Sequence, residues 1–158
     1  GSSNWYISHS GFLLRKFVDT ATGSEINGAS SVPYVVFRFG EALLNAAEAA
    51  LMTGEAAIDV ARENLLTLME KRYTANAYAA KEAAVNAMGR DELLQEIYNE
   101  RTRELAFEGH RWFDLRRTTR PRLEKTFGGT SYVLEENDSR YTIRIPSEAI
   151  EANPGLAN

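Results

Sequence analysis

Residues Asn99–Arg117 read "NERTRELAFEGHRWFDLRR". Five arginines and four acids are interleaved with Leu105, Phe107, Trp112, Phe113 and Leu115. On a helix, residues three and four apart are neighbours. Ile97, Arg101, Glu104 and Glu108 then form one stripe, and Glu100, Arg103, Glu104 and Arg111 an adjacent one. Opposite charges meet along both. With Trp112 and Phe113 alongside, the arginines are expected to be partly buried and paired, and their forked guanidinium groups suit carboxylates. The stretch is therefore read as a fold-holding helix. Its expected charged network comprises Glu100, Arg101, Arg103, Glu104, Glu108, Arg111, Trp112 and Asp114.

Two other chemistries fit these residues less well. A carboxylate-bridged metal site needs Glu and His three or four apart on one helix face. Glu108 and His110 are two apart, so they diverge by about 200° on a helix of 3.6 residues per turn. His9 is the only other histidine, and no metal or cofactor is expected. A nucleic-acid surface needs excess positive charge. The whole chain carries 18 basic and 22 acidic residues, a formal charge of −4. The basic run Arg116, Arg117, Arg120, Arg122 and Lys125 has no interleaved stacking aromatics, so no nucleic-acid partner is expected.

The remaining composition is globular, at 44% hydrophobic and 25% charged residues in a chain of 158. That length suffices for one domain with a core. The longest apolar run, "PYVVF", is far short of the ~20 residues that span a bilayer. Cysteine is absent, which removes disulfides, thiolate metal sites and cysteine nucleophiles.

Along the chain, residues 1–30 show no sustained period. Ser31 and Pro33 read as the cap and first turn of a helix, with Val36, Phe39, Leu43, Ala47 and Ala50 on one face. Gly54 stops it. A second helix from about Glu55 shows Ile58, Ala61, Leu65, Leu68 and Arg72 on one face. The short link predicts an antiparallel hairpin over 31–73, loosely tetratricopeptide-like. A single such hairpin cannot bury both faces, so further neighbours are expected. Residues 78–117 read as helices, the last a long one capped by Asp91 and running through the charged stretch. "TTRPRLEKTFGGTS" (118–131) reads as a loop. "SYVLEENDSRYTIRIP" (131–146) reads as a β-hairpin with Asn137-Asp138 near its turn and Tyr132 facing Tyr141. A short Ser147-capped helical turn closes the chain. Trp112 is expected in the core rather than as a binding platform. The fold class is mainly α with a small C-terminal β-hairpin.

"ERTRELAFEGHRWFDLRR" resembles the signature of the SusD/RagB family, "ER-x-REL-x-FEG-x-R-x-FDLRR". "VVFRFGEALLNAAEAAL" is similar to the family's "R-x-AE-x-LL-x-xAEA" helix, with Gly40 where alanine is common. "YTIRIPSEAIEANPGLAN" is similar to its closing "IP-x-x-E-x-x-x-NP-x-L" segment, with Arg144 where proline is common. "GFLLRKFVD" resembles the segment that precedes the first helix. The resemblance implies an α-α superhelix with tetratricopeptide-like hairpins. It implies a non-enzymatic lipoprotein of the outer-membrane surface that binds glycans or other nutrients. Its partner would be a SusC-like TonB-dependent transporter. It also implies that residues 1–158 correspond to the C-terminal third of a longer protein, with the lipid anchor and the missing N-terminal portion upstream. Sugar-binding aromatics of the family lie mostly upstream of the matched region. Trp5, Tyr6 and His9 are the local candidates for contact with an oligosaccharide. The alternative is a helical-repeat interaction scaffold with no small-molecule ligand.

Overall fold

The computed structural model describes residues 16, 33, 35–142 and 144–156. The chain divides into two units, Gly1–Arg38 and Phe39–Asn158, and the second carries the elements that follow.

The first helix, α1, spans Phe39–Thr53. It starts later than the Ser31–Pro33 signal predicts, since Pro33 and 35–38 are not helical. The reason lies in local preference. Val35 and Val36 are β-branched and Phe37 is aromatic, and such residues favour extended backbone. From Gly40 onward, alanine, leucine and glutamate take over, and these are strong helix formers. After Gly54, a 3-10 turn at Glu55–Ala57 leads into α2, Ile58–Glu70. The two helices form the expected hairpin. Leu43, Leu44, Ala47, Ala50 and Leu51 of α1 share one buried cluster with Ala61, Leu65, Leu68 and Met69 of α2. Ala47 and Ala61 are both fully buried, and side chains this small let the helices approach closely.

Helix α3, Ala75–Ala87, contributes only Val85 to the fully buried core. Its alanine-rich sequence is a good helix former with little apolar area to bury. Helix α4 spans Arg90–Glu104 and inserts Leu93 and Ile97 into the same cluster. Gly89, rather than Asp91, occupies its cap position. The Gly89 N–H donates to the Glu92 carboxylate at 3.1 Å. Two arginines stitch this corner. Arg90 donates to the Leu51 carbonyl at 3.1 and 3.3 Å, satisfying an orphan acceptor in the last turn of α1. Arg62 donates to the Met88 carbonyl at 2.7 Å.

The long helix predicted to run through the charged stretch is in fact two. It breaks over Leu105–Gly109, and α5, His110–Arg117, follows. Phe107 has φ 65° and Gly109 φ 83°, left-handed conformations that end a helix and that glycine tolerates best. The stripe through Glu108 and Arg111 therefore does not exist as drawn from one continuous helix.

The β-hairpin is real but sits earlier than expected. β1, Leu123–Phe127, pairs antiparallel with β2, Thr130–Leu134, with Leu123 opposite Leu134 and Phe127 opposite Thr130. The turn is Gly128-Gly129, with φ 56° and 80°. A two-residue turn with both centres at positive φ matches the right-handed twist of the strands. The glycine pair is thus a hairpin turn, and the stretch 118–131 that reads as a loop carries β1 and the start of β2. Asn137-Asp138 instead leads into a 3-10 turn at Ser139–Tyr141, where the Asp138 carboxylate accepts the Arg140 N–H at 2.8 Å. Tyr132 faces Lys125 across the hairpin, not Tyr141. Helix α6, Ser147–Ala152, takes Pro146 as its cap residue. The Pro146 carbonyl accepts the Ala149 and Ile150 N–H groups.

Candidate functional site

Trp5, Tyr6 and His9 lie outside the described residues. The charged residues of the signature lie inside them, and they are organised around the break between α4 and α5.

Arg101 of α4 is 5% exposed. Its Nε donates to Asp114 of α5 at 3.2 Å and its Nη1 to the Asn45 amide oxygen of α1 at 2.6 Å. Asp114 also accepts from Arg117 at 2.9 and 2.8 Å. Arg117 reaches on to Glu48 of α1 through both Nη atoms, one of them at 2.8 Å. Tyr98 adds a donated hydrogen bond to the same Glu48 carboxylate at 3.3 Å. The hydrogen bonds to Glu48, followed by those to Asp114, outweigh desolvation and raise the Arg117 pKa above its ordinary value. Three helices, α1, α4 and α5, are joined by this one chain of charges.

A second chain runs from α4 to the end of α2. Glu104 accepts two parallel hydrogen bonds from Arg72, at 2.8 and 3.0 Å, a bidentate geometry. Glu100 accepts from the Tyr73 hydroxyl at 3.0 Å and from Arg103 at 2.8 Å. Glu96 accepts from Lys81 of α3 at 2.9 Å and from Arg103 at 2.7 Å. Burial opposes ionisation of Glu96. Hydrogen bonds from Lys81 and Asn99, with the Arg103 charge, outweigh it and hold the carboxyl below its usual range. For Tyr73, burial and then the Glu100 charge push the phenol upward.

Of the eight residues expected in one network, Glu100, Arg101, Arg103, Glu104 and Asp114 take part in these two chains. Glu108 is half-buried in the helix break. Arg111 is exposed and donates to the Thr102 hydroxyl at 2.9 Å, bridging the break. Trp112 stacks on Tyr141, with ring centroids 5.3 Å apart and planes 9° from parallel. Tyr141 is fully buried. Its hydroxyl donates to the Pro121 carbonyl, and its own carbonyl accepts from Arg116 at 2.6 Å. The segment after the hairpin is thereby strapped onto α5.

The partners Asn45, Glu48, Arg72 and Tyr73 escape a reading centred on the charged stretch. They sit 27 to 69 residues away from their contacts, beyond the reach of helical spacing. One signal was available: Glu41 and Glu48 fall on one face of α1. Chemically, Glu48, Glu96, Glu100, Glu104 and Asp114 each face a cation. The arrangement is suited to fixing helices.

No curated protein matches the chain. The model of the SusD family, SusD_RagB, matches residues 1–158. Family membership implies glycan or nutrient binding at the cell surface. The chain belongs to the SusD family.

Proposed function

We propose that this chain serves a surface protein that captures oligosaccharides and passes them to a SusC-like TonB-dependent transporter of the outer membrane, without catalysis. The observation that carries this reading is the family match over residues 1–158. The geometry of the signature supports it, because Asp114 pairs with Arg101 across two helices and Arg117 pairs with Glu48 of α1. Attachment to the outer surface would be through an N-terminal lipid anchor. Trp5, Tyr6 and His9 are the proposed sugar contacts of the first unit. Aromatic faces there would meet the apolar faces of sugars, and the imidazole would meet hydroxyls.

Titration calorimetry with a panel of neutral and acidic glycans tests the capture step. Saturable binding by the whole surface protein with no change in the glycan, checked by chromatography after incubation, is the expected result, with very weak or no binding by residues 1–158 alone. Cleavage of any glycan by the pure chain would overturn the non-enzymatic part. Absence of binding by the whole surface protein across the panel would overturn the capture part.

A further inference from the structure

A cavity of about 160 Å³ lies between α4, α5 and the chain that follows α5. At about 30 Å³ per water it has room for about five waters. Of its lining, Asp114 and Leu115 are buried and make the floor, while Gln95, Arg111 and Thr119 are exposed and make the rim. Half-buried Tyr98 and Thr118 stand between them.

Much of this lining is fixed before any ligand arrives. Tyr98 donates to Glu48 at 3.3 Å, and the Arg117 guanidinium carbon lies 5.9 Å from the centre of its ring. The Thr118 hydroxyl donates to the Asp114 carbonyl at 2.7 Å. Both Asp114 carboxylate oxygens already accept from Arg101 and Arg117. A lining held in this way lowers the ordering cost of binding.

The three rim groups keep bonding capacity. Gln95 spends its Nε2 on Asn99 at 3.2 Å, which leaves the amide oxygen as an acceptor. Arg111 donates to Thr102 through one Nη, and a guanidinium has five N–H donors. The Thr119 hydroxyl, donor and acceptor at once, has no hydrogen-bond partner among the described residues. Donors and acceptors so mixed match hydroxyl groups, which also do both. A carboxylate only accepts and would leave the Gln95 oxygen unmatched. An ammonium only donates and would face the Arg111 charge. An apolar group would leave all three unpaired.

We propose that this cavity holds one sugar ring, either a free monosaccharide or the terminal unit of a glycan. The ring hydroxyls pair with Gln95, Arg111 and Thr119, and Tyr98 and Leu115 supply the apolar lining. Asp114 takes no part, since its oxygens serve the two arginines. The inference rests on the glycan-capture reading and adds a sugar site that uses none of Trp5, Tyr6 and His9.

The test follows backbone amide chemical shifts of residues 1–158 during titration with glucose, galactose, mannose and N-acetylglucosamine, with glycerol and acetate as comparisons. At least one monosaccharide is expected to shift the Gln95 and Thr119 amides saturably. So small a ligand binds in the millimolar range, the very weak binding expected of residues 1–158 alone. Thr119→Val and Gln95→Leu should each weaken it about fivefold to tenfold, the order of one hydrogen bond. Thr67→Val makes the same hydroxyl deletion on an exposed position of α2 and should change nothing. Several results would overturn the site: no monosaccharide moving those amides, glycerol or acetate binding as tightly, or Thr119→Val and Gln95→Leu binding as the parent does. If the whole surface protein captures oligosaccharides while the cavity stays silent, the cavity site falls and glycan capture stands. If neither binds, both fall.

Discussion

Arg101 and Asp114 meet at 3.2 Å across the break between two helices, with side chains 5% and 10% exposed. They are thirteen residues apart, and the left-handed turn through Phe107 and Gly109 makes their meeting possible. A buried guanidinium is tolerable only because Asp114 and Asn45 take its donors.

Burial decides how much each ion pair matters. Arg101→Ala strips the buried Asp114 of one of its two cations and should lower the unfolding free energy by about 3–5 kcal/mol. Arg122 pairs with Glu124 and Glu135, all three about half exposed or more, and Arg122→Ala should give no resolvable change. Urea denaturation of both variants measures the contrast. Similar small losses in the two would argue against a buried network.

The turn itself is testable. A Cβ added at Gly109 would meet nothing within 4 Å, so space is not the obstacle. Its φ of 83° is. Gly109→Ala should therefore cost about 1–2 kcal/mol through backbone strain alone. Thermal melts report it, and Gly89→Ala, at an ordinary negative φ, is the comparison that should cost less.

Acid should loosen the contact between α3 and α4. The Glu96 carboxyl is held below its ordinary value when folded, while in the unfolded chain it titrates near about 4.3. A lowered folded pKa stabilises fully above the unfolded value and is lost as pH falls through the folded one. Unfolding free energy should thus fall on acidification below about pH 4.5. Glu96→Gln should flatten that fall. An unchanged slope in the variant would show that Glu96 is not a contributor.

Much of the helical fold was legible because helices write their packing into local spacing. Leu43, Ala47 and Ala50 of α1, and Ala61, Leu65 and Leu68 of α2, lie in the core as their three- and four-residue steps imply. The α4–α5 break was not legible from spacing, because a left-handed Phe107 has no sequence signature and Gly109 alone is a weak one. The hairpin was misplaced because Gly128-Gly129 can end a strand or join two, and Tyr141 belongs to a 3-10 turn rather than to a strand. Tyr141 instead turns inward to Trp112, a contact 29 residues apart that no periodicity reveals. The ion-pair partners on α1 and just past the end of α2 were hidden for the same reason.

If the charged signature serves to hold helices together, its buried Arg101–Asp114 pair contributes to stability and not to ligand affinity. A double-mutant cycle on Arg101→Ala and Asp114→Ala, scored by unfolding free energy and by glycan affinity on the same samples, tests it most directly. Strongly non-additive stability losses are expected, with a coupling of about 1–3 kcal/mol for contacting residues, and unchanged glycan affinity in whatever fraction remains folded. Additive, small stability effects together with lost glycan binding would contradict it.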